Sequence, residues 1–387
     1  MHPITIIGTG LAGYTVAREL RKLDPNCPLR LITADEGHFY SKPMLSNAFS
    51  QHKTPEMLIT TPVEQMAEQL QAEILTHTLV TQLEPQWHRL KINEKSLTYS
   101  QLVLACGAKP IVTPCTGTVT EKILFVNSLS EYRYLRTALQ KAKHVTIIGA
   151  GLIGCEFAND LQEGGFSVTI ISNATYPLNR LVPTSVGQLL QQVLQERGVT
   201  WLLGKTVKHI APIASARYQL TLVDNQTVAT DIVISAIGLR PQVKLATAAG
   251  LTVKEGIVVN RYLQTNMPDV YALGDCAQIE GLVLLYVMPL MNAARALAKT
   301  LVGQTTAVTY PAMPIVVKTP ACPIVISPPP KTVDGQWHIE TQGQDIRGLF
   351  YITNTQQLAG FVLTGKMITE KMTWLKQLPP LLKAHCH

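Results

Sequence analysis

The chain has 387 residues, 46% of them apolar and 15% charged, with 33 Lys+Arg against 26 Asp+Glu for a net charge of +7. That length suits two or three domains, and the apolar share excludes global disorder. No uncharged apolar run approaches the ~20 residues of a membrane-spanning helix, so no membrane insertion is expected.

An apolar strand at residues 4–7 runs into Gly8-Thr9-Gly10-Leu11-Ala12-Gly13, and a helical pattern leaves it. Gly8 permits a tight turn, Gly10 lets the backbone approach a pyrophosphate, and Gly13 lets helix and strand pack closely. The phosphates then sit at the positive end of the helix. A second strand, residues 29–33, leads through Thr33 and Ala34 to Asp35-Glu36. An acidic group there binds a ribose hydroxyl, with Asp35 the first choice and Glu36 the second. The competing reading is an ordinary glycine-rich turn. Val80 lies in an expected strand over residues 75–81.

The pattern repeats. Residues 144–148 precede Gly149-Ala150-Gly151-Leu152-Ile153-Gly154, a helix follows, and Gly164-Gly165 is expected to end it. The strand after that reaches Ser172-Asn173, where a carboxylate would favour a free ribose hydroxyl. Serine still hydrogen-bonds a ribose but does not repel a 2′-phosphate. No Arg or Lys stands in the next few residues to welcome one, Arg180 being the nearest along the chain. Gly rather than Ala at 154 leans to NADH, with NADPH as the alternative. Two such loops imply two dinucleotides.

Three more segments share a strand-then-glycine shape: residues 102–110, residues 233–241, and residues 265–275, which end in Gly274-Asp275. With both glycine loops, in this order, they resemble the pyridine nucleotide–disulfide oxidoreductase superfamily over residues 1–305. The resemblance implies an α/β fold with two Rossmann-like domains, FAD on the first loop and the nicotinamide cofactor on the second. It implies FAD contacts from Gly8, Thr9, Gly10, Leu11, Ala12, Gly13, Thr33, Ala34, Asp35, Lys42, Val80, Glu156, Asp275, Val287 and Lys318. It implies NAD contacts from Gly149, Gly151, Leu152, Ile153, Gly154 and Ser172. Asp275 would hold a ribitol hydroxyl, the backbone at Val80 the adenine, and Val287 the start of a helix aimed at the flavin. A turn aspartate, or a core valine, is the plain reading of either residue alone.

The disulfide-reducing branch needs a redox cysteine pair after Tyr40, yet residues 39–47 contain no cysteine and the chain has no CxxC. The seven cysteines, Cys27, Cys106, Cys115, Cys155, Cys276, Cys322 and Cys386, follow no disulfide framework. Reduced thiols in the cytoplasm are expected, and the start of the chain lacks a secretion-signal pattern. The segments 40–46 and 314–323 resemble rubredoxin reductases in particular. That resemblance implies a small acidic iron protein, rubredoxin, as partner, and the basic excess would steer it. A ferredoxin-type reductase, an NADH oxidase and a redox-controlled flavin-bound interaction protein are the rivals. No aromatics interleave with a basic stripe, so nucleic acid is not expected. The ten histidines show no metal-ligand spacing, so no metal is expected.

Glu156 follows the second glycine loop closely, where a carboxylate near a pyrophosphate needs a cation. Lys42 and Lys318 are the candidates, and together with Glu156 they form the expected catalytic environment. For each lysine a solvated charge is the bland alternative, as is an exposed helix position for Glu156. The expected layout is an FAD domain from residues 1–109 and 241–305, an NAD domain from 110–240, and a small α+β domain from 306–387. Within the last, a hairpin around Gly335 and Gly343, a strand over 358–363 and a helix over 369–378 are expected.

Overall fold

The computed structural model describes residues 2–214, 216–330 and 332–382. Cys386 lies outside the described residues. A first parallel sheet takes its strands in the order Val270–Ala272, Gln101–Leu104, Ile4–Ile7, Leu29–Ile32, Glu73–Leu75. These strands are nearly continuous apolar runs, as a sheet covered on both faces requires. The helix Leu11–Leu23 buries Tyr14, Val16, Ala17 and Leu20 and packs on the helix Val287–Leu301. Late residues thus complete a sheet begun by the first ones.

A second parallel sheet has the order Thr200–Leu203, Ser167–Ser172, His144–Ile148, Ile232–Ser235. The helix Leu152–Glu163 leaves its glycine loop and is capped at Gly164, and Gly165 then takes φ +90°. An antiparallel meander, Val207–Pro212, Tyr218–Leu222 and Thr227–Thr230, sits beside this sheet.

The C-terminal part is a five-stranded antiparallel sheet. Its order is Ile315–Val317, Ile324–Ser327, Leu358–Thr364, Asp345–Ile352, Gly335–Gln342. The hairpin turns at Gly343, with φ +62°, while Gly335 begins a strand rather than a turn. The expected helix over 369–378 is instead a run of 3-10 turns, Gly365–Glu370, followed by the short helix Lys371–Leu375. Ile315, Val317, Ile324, Ile326 and Val362 share one core with Leu45, Ala48, Leu58 and the second sheet. This sheet is therefore docked where the two glycine-loop units meet.

The expected strand over residues 75–81 is two strands. Glu73–Leu75 ends in the first sheet, His77 turns the chain at φ +48°, and Val80–Glu84 opens a separate antiparallel sheet. No glycine, proline, asparagine or aspartate within residues 75–81 marks the turn. Among the described residues no helix is long and apolar enough to cross a membrane.

Candidate functional site

The two glycine loops share one geometry. Gly8 has φ +115°, and a Cβ there would meet the Ala105 carbonyl oxygen at 2.3 Å. A Cβ on Gly13 would lie 1.9 Å from the Gly8 oxygen. The turn beside Ala105 demands the first of these glycines, and helix-to-strand packing demands the second. Gly10 is different, because nothing lies within 4 Å of its would-be Cβ. An absent side chain facing open space is what a ligand's close approach requires, and a mere turn does not explain it. Gly149, Gly154 and Gly151 repeat the triplet, the first two packed against Ala236 and Gly149 and the third open. Neither following helix carries an acidic residue in its first turn, so Leu11 and Leu152 open helices whose positive ends remain for phosphate. Thr9 and Ala12 are buried in the first loop, while Ile153 is exposed beside the second.

Beyond the first loop, Glu36 is engaged by Arg133 at 3.0 Å, and Arg133 also holds Glu56 at 3.1 Å. Asp35 is exposed, and among the described residues its carboxylate has no hydrogen-bonding or ion-pair partner. That leaves Asp35, not Glu36, available to a ribose. Its backbone is fixed by an N–H bond to the Thr33 hydroxyl at 3.2 Å. The chain before Val80 returns to this rim, with His77 N–H donating to the Asp35 carbonyl at 3.0 Å and Thr78 N–H to that of Thr33 at 2.8 Å. Val80 itself is buried and Ala34 exposed.

Ser172 is buried at the end of its strand, and its hydroxyl oxygen accepts from Ala174 N–H at 3.2 Å. The hydroxyl proton stays available to a ribose. Lys205, distant in sequence, donates its backbone N–H to the Ser172 carbonyl at 2.9 Å.

Glu156 is not an exposed helix residue. It is 0% exposed, and its carboxylate meets Lys318 Nζ at 2.8 Å, the Ser46 hydroxyl at 2.5 Å and the Lys318 backbone N–H at 3.0 Å. Lys318 also donates to the Pro43 carbonyl and to Ser46 Oγ. Of the two candidate lysines, Lys318 is thus the partner. Lys42 points elsewhere, to Asn127 Oδ1 at 3.4 Å, with its charge felt at Asp275.

Sequence reasoning missed the rest of this helix face. Asp160 accepts from Phe49 and Ser50 N–H, each at 2.9 Å, and Asn159 accepts from Ala321 N–H at 3.1 Å. Glu156, Asn159 and Asp160 follow the helical i, i+3, i+4 spacing, and that pattern was the available signal. One face of the helix Leu152–Glu163 therefore grips the 42–50 segment and the C-terminal sheet together.

Asp275 sits after Gly274, which has φ +73°. Among the described residues its carboxylate accepts no hydrogen bond, and burial pushes its carboxyl up, with Lys42 opposing. A half-buried carboxylate without donors, after a glycine packed on Ala12 of the first loop, fits a polyol hydroxyl of FAD. Val287, at the start of the helix Val287–Leu301, is 38% exposed, again with no acid in the first turn. The six described cysteines are unpaired, and no metal-binding cluster occurs among the described residues.

Residues 2–299 match the family model described as pyridine nucleotide-disulphide oxidoreductase, and residues 307–378 match one described as a rubredoxin binding C-terminal domain. A rubredoxin-NAD(+) reductase from Acinetobacter baylyi is 47% identical, with 99% of this chain and 100% of the relative aligned. One from Alcanivorax borkumensis is 42% identical, again over 99% and 100%. The solved structure of the ferredoxin reductase for the CYP199A2 system from Rhodopseudomonas palustris superposes with a TM-score of 0.88 at 24% identity, covering 98% of this chain and 96% of that one. That likeness concerns the fold. With the glycine loops, the shared sheet order and a family model spanning residues 2–299 in view, the chain belongs to the pyridine nucleotide-disulphide oxidoreductase family.

Proposed function

We propose that this chain is an FAD-dependent reductase that takes hydride from NADH and delivers single electrons to rubredoxin. The observation that carries this is the docking of the rubredoxin-binding sheet, through Lys318, onto Glu156 of the nicotinamide-side helix. The acceptor-facing part and the hydride-donor part thereby share one buried ion pair. FAD, when bound, supplies the conversion of a two-electron donor into single electrons. The protein's own share is position and field. Gly8, Thr9, Gly10, Leu11, Ala12 and Gly13 cradle the FAD pyrophosphate, Thr33, Ala34 and Asp35 hold its adenosine ribose, and Val80 borders the adenine. Asp275 accepts from the ribitol, and Lys42 offsets the carboxylate charge beside it. The helix opened by Val287 directs its positive end at the ring.

Gly149, Gly151, Leu152, Ile153 and Gly154 take the NADH pyrophosphate, and Ser172 takes its ribose. Glu156, clamped by Lys318 and Ser46, fixes where the nicotinamide can lie. No cysteine in the 42–47 segment competes for the electrons. We assign residues 1–109 and 241–305 to FAD, 110–240 to NADH, and place the chain in the cytoplasm, where unpaired thiols persist. NADH is preferred to NADPH.

The test is steady-state NADH oxidation with rubredoxin, ferredoxin and oxygen offered separately. Rubredoxin supports the highest kcat/KM, and the rate falls with ionic strength because the +7 chain steers an acidic partner. Equal or faster turnover with oxygen alone overturns the assignment.

A further inference from the structure

Ser172 ends the strand Ser167–Ser172, where the adenosine ribose lies in a doubly wound sheet. Carrying no charge, it does not itself reject a 2′-phosphate. The neighbouring strand Thr200–Leu203 places Leu203 opposite it. Two backbone bonds continue the pairing past both strand ends, Lys205 N–H to the Ser172 carbonyl and Gly204 N–H to the Ala174 carbonyl, both 2.9 Å. A lysine is thus anchored on the rim where a 2′-phosphate would sit.

The lysine is occupied. Its ammonium pairs with the Asp224 carboxylate, on the turn between Tyr218–Leu222 and Thr227–Thr230. That turn is itself fixed, with Val223 N–H bonded to the Thr206 carbonyl at 3.0 Å and Gln226 N–H to Asp224 Oδ1 at 3.2 Å. The Lys205 ammonium, and then the Gln226 N–H, hold the Asp224 carboxyl below the usual carboxylate range, so it is an anion at neutral pH. Both side chains keep more than a third of their surface open, so a ligand reaches them.

We propose that the Lys205–Asp224 pair sets the choice between the two nicotinamide dinucleotides. Asp224 occupies the cation that a 2′-phosphate needs and presents a negative charge to it. The proposal rests on the reading that Ser172 lies at the adenosine ribose. NADH brings a neutral hydroxyl and leaves the pair intact. NADPH brings a charge of roughly −1.5 to −2 and must part the lysine from its aspartate while approaching that aspartate. Asp224 acts through Lys205 and touches nothing of NADH.

The experiment measures kcat/KM for NADH and NADPH on the FAD-loaded full chain, with ferricyanide as acceptor so that rubredoxin docking plays no part. Asp224→Asn raises kcat/KM for NADPH about tenfold, the worth of one freed charge-assisted contact. NADH stays within about twofold, and the NADPH gain shrinks with added salt. Adding Lys205→Met to Asp224→Asn abolishes the gain. An unchanged NADPH-to-NADH ratio in Asp224→Asn, or a gain that survives loss of the lysine, overturns the proposal. Ser172→Asp separates the two levels. A fall in the NADPH-to-NADH ratio there, with no change in Asp224→Asn, overturns the pair's role and leaves the ribose site standing. No change in either variant overturns both.

Discussion

Replacing Lys318 by Met removes the ammonium 2.8 Å from the Glu156 carboxylate and keeps an unbranched apolar side chain in its place. The Glu156 side chain is 1% exposed, so water does not take over the charge. Two donors survive, the Ser46 hydroxyl at 2.5 Å and the backbone N–H of residue 318 at 3.0 Å. Removing one partner of a buried pair costs about 3–5 kcal/mol. The lysine side chain is 25% exposed and two donors remain, so the expected loss is about 2–3 kcal/mol. Glu156→Gln keeps the side-chain shape and leaves the ammonium with Pro43 and Ser46, so it costs less, about 1–2 kcal/mol. The double variant should cost clearly less than the sum, with a coupling of about 1–2 kcal/mol. Urea midpoints of the FAD-loaded protein, at constant slope, give these numbers. Strictly additive costs, or a Lys318→Met loss no larger than that of a surface lysine, refute the buried-pair argument.

Asp275→Asn should weaken FAD binding by about 1.5–3 kcal/mol, roughly ten- to a hundredfold, in equilibrium titration of apoprotein. Burial raises the Asp275 carboxyl, so in FAD-free protein its stabilising contribution is fully present below pH ~3.9 and is lost as pH rises through the raised value. Urea midpoints of the apoprotein against pH should show that loss, and Asp275→Asn should remove it. Gly13→Ala forces a Cβ to within 1.9 Å of the Gly8 oxygen, so the helix must shift and the purified protein should retain little flavin by absorbance. Burial pushes the Cys322 thiol up to about 11 and the Cys155 thiol higher still, the Glu156 charge adding to the latter. Both should resist iodoacetamide at pH 8 until the chain is unfolded, as read by peptide mass spectrometry.

The glycine loops were legible because their physics is local. Each triplet, its strand and its helix lie within a few residues, and the spacing carries the reason for each glycine. The return of residues 270–272 to the first sheet was legible only through resemblance, since no local pattern says which edge a short apolar strand joins. The break at His77 was hidden because the positive φ falls on a histidine and none of the usual turn residues stands within 75–81. The C-terminal helix was overextended because consecutive 3-10 turns show a similar apolar spacing. Choosing Lys318 over Lys42 for Glu156 needed the fold, as the contact spans 162 positions. Lys205 beside Ser172 was missed for a related reason: parallel strands bring together residues that sequence proximity separates.

If this chain couples NADH oxidation to rubredoxin reduction through a flavin, both half-reactions are visible in the flavin absorbance. Anaerobic stopped-flow spectroscopy tests it in a single sequence of mixes. NADH should bleach the flavin absorbance, and subsequent rubredoxin should restore it, two rubredoxins being reduced per NADH, with salt slowing only the second phase. A flavin that NADH does not bleach, or a bleached flavin that rubredoxin restores no faster than buffer does, would contradict the account.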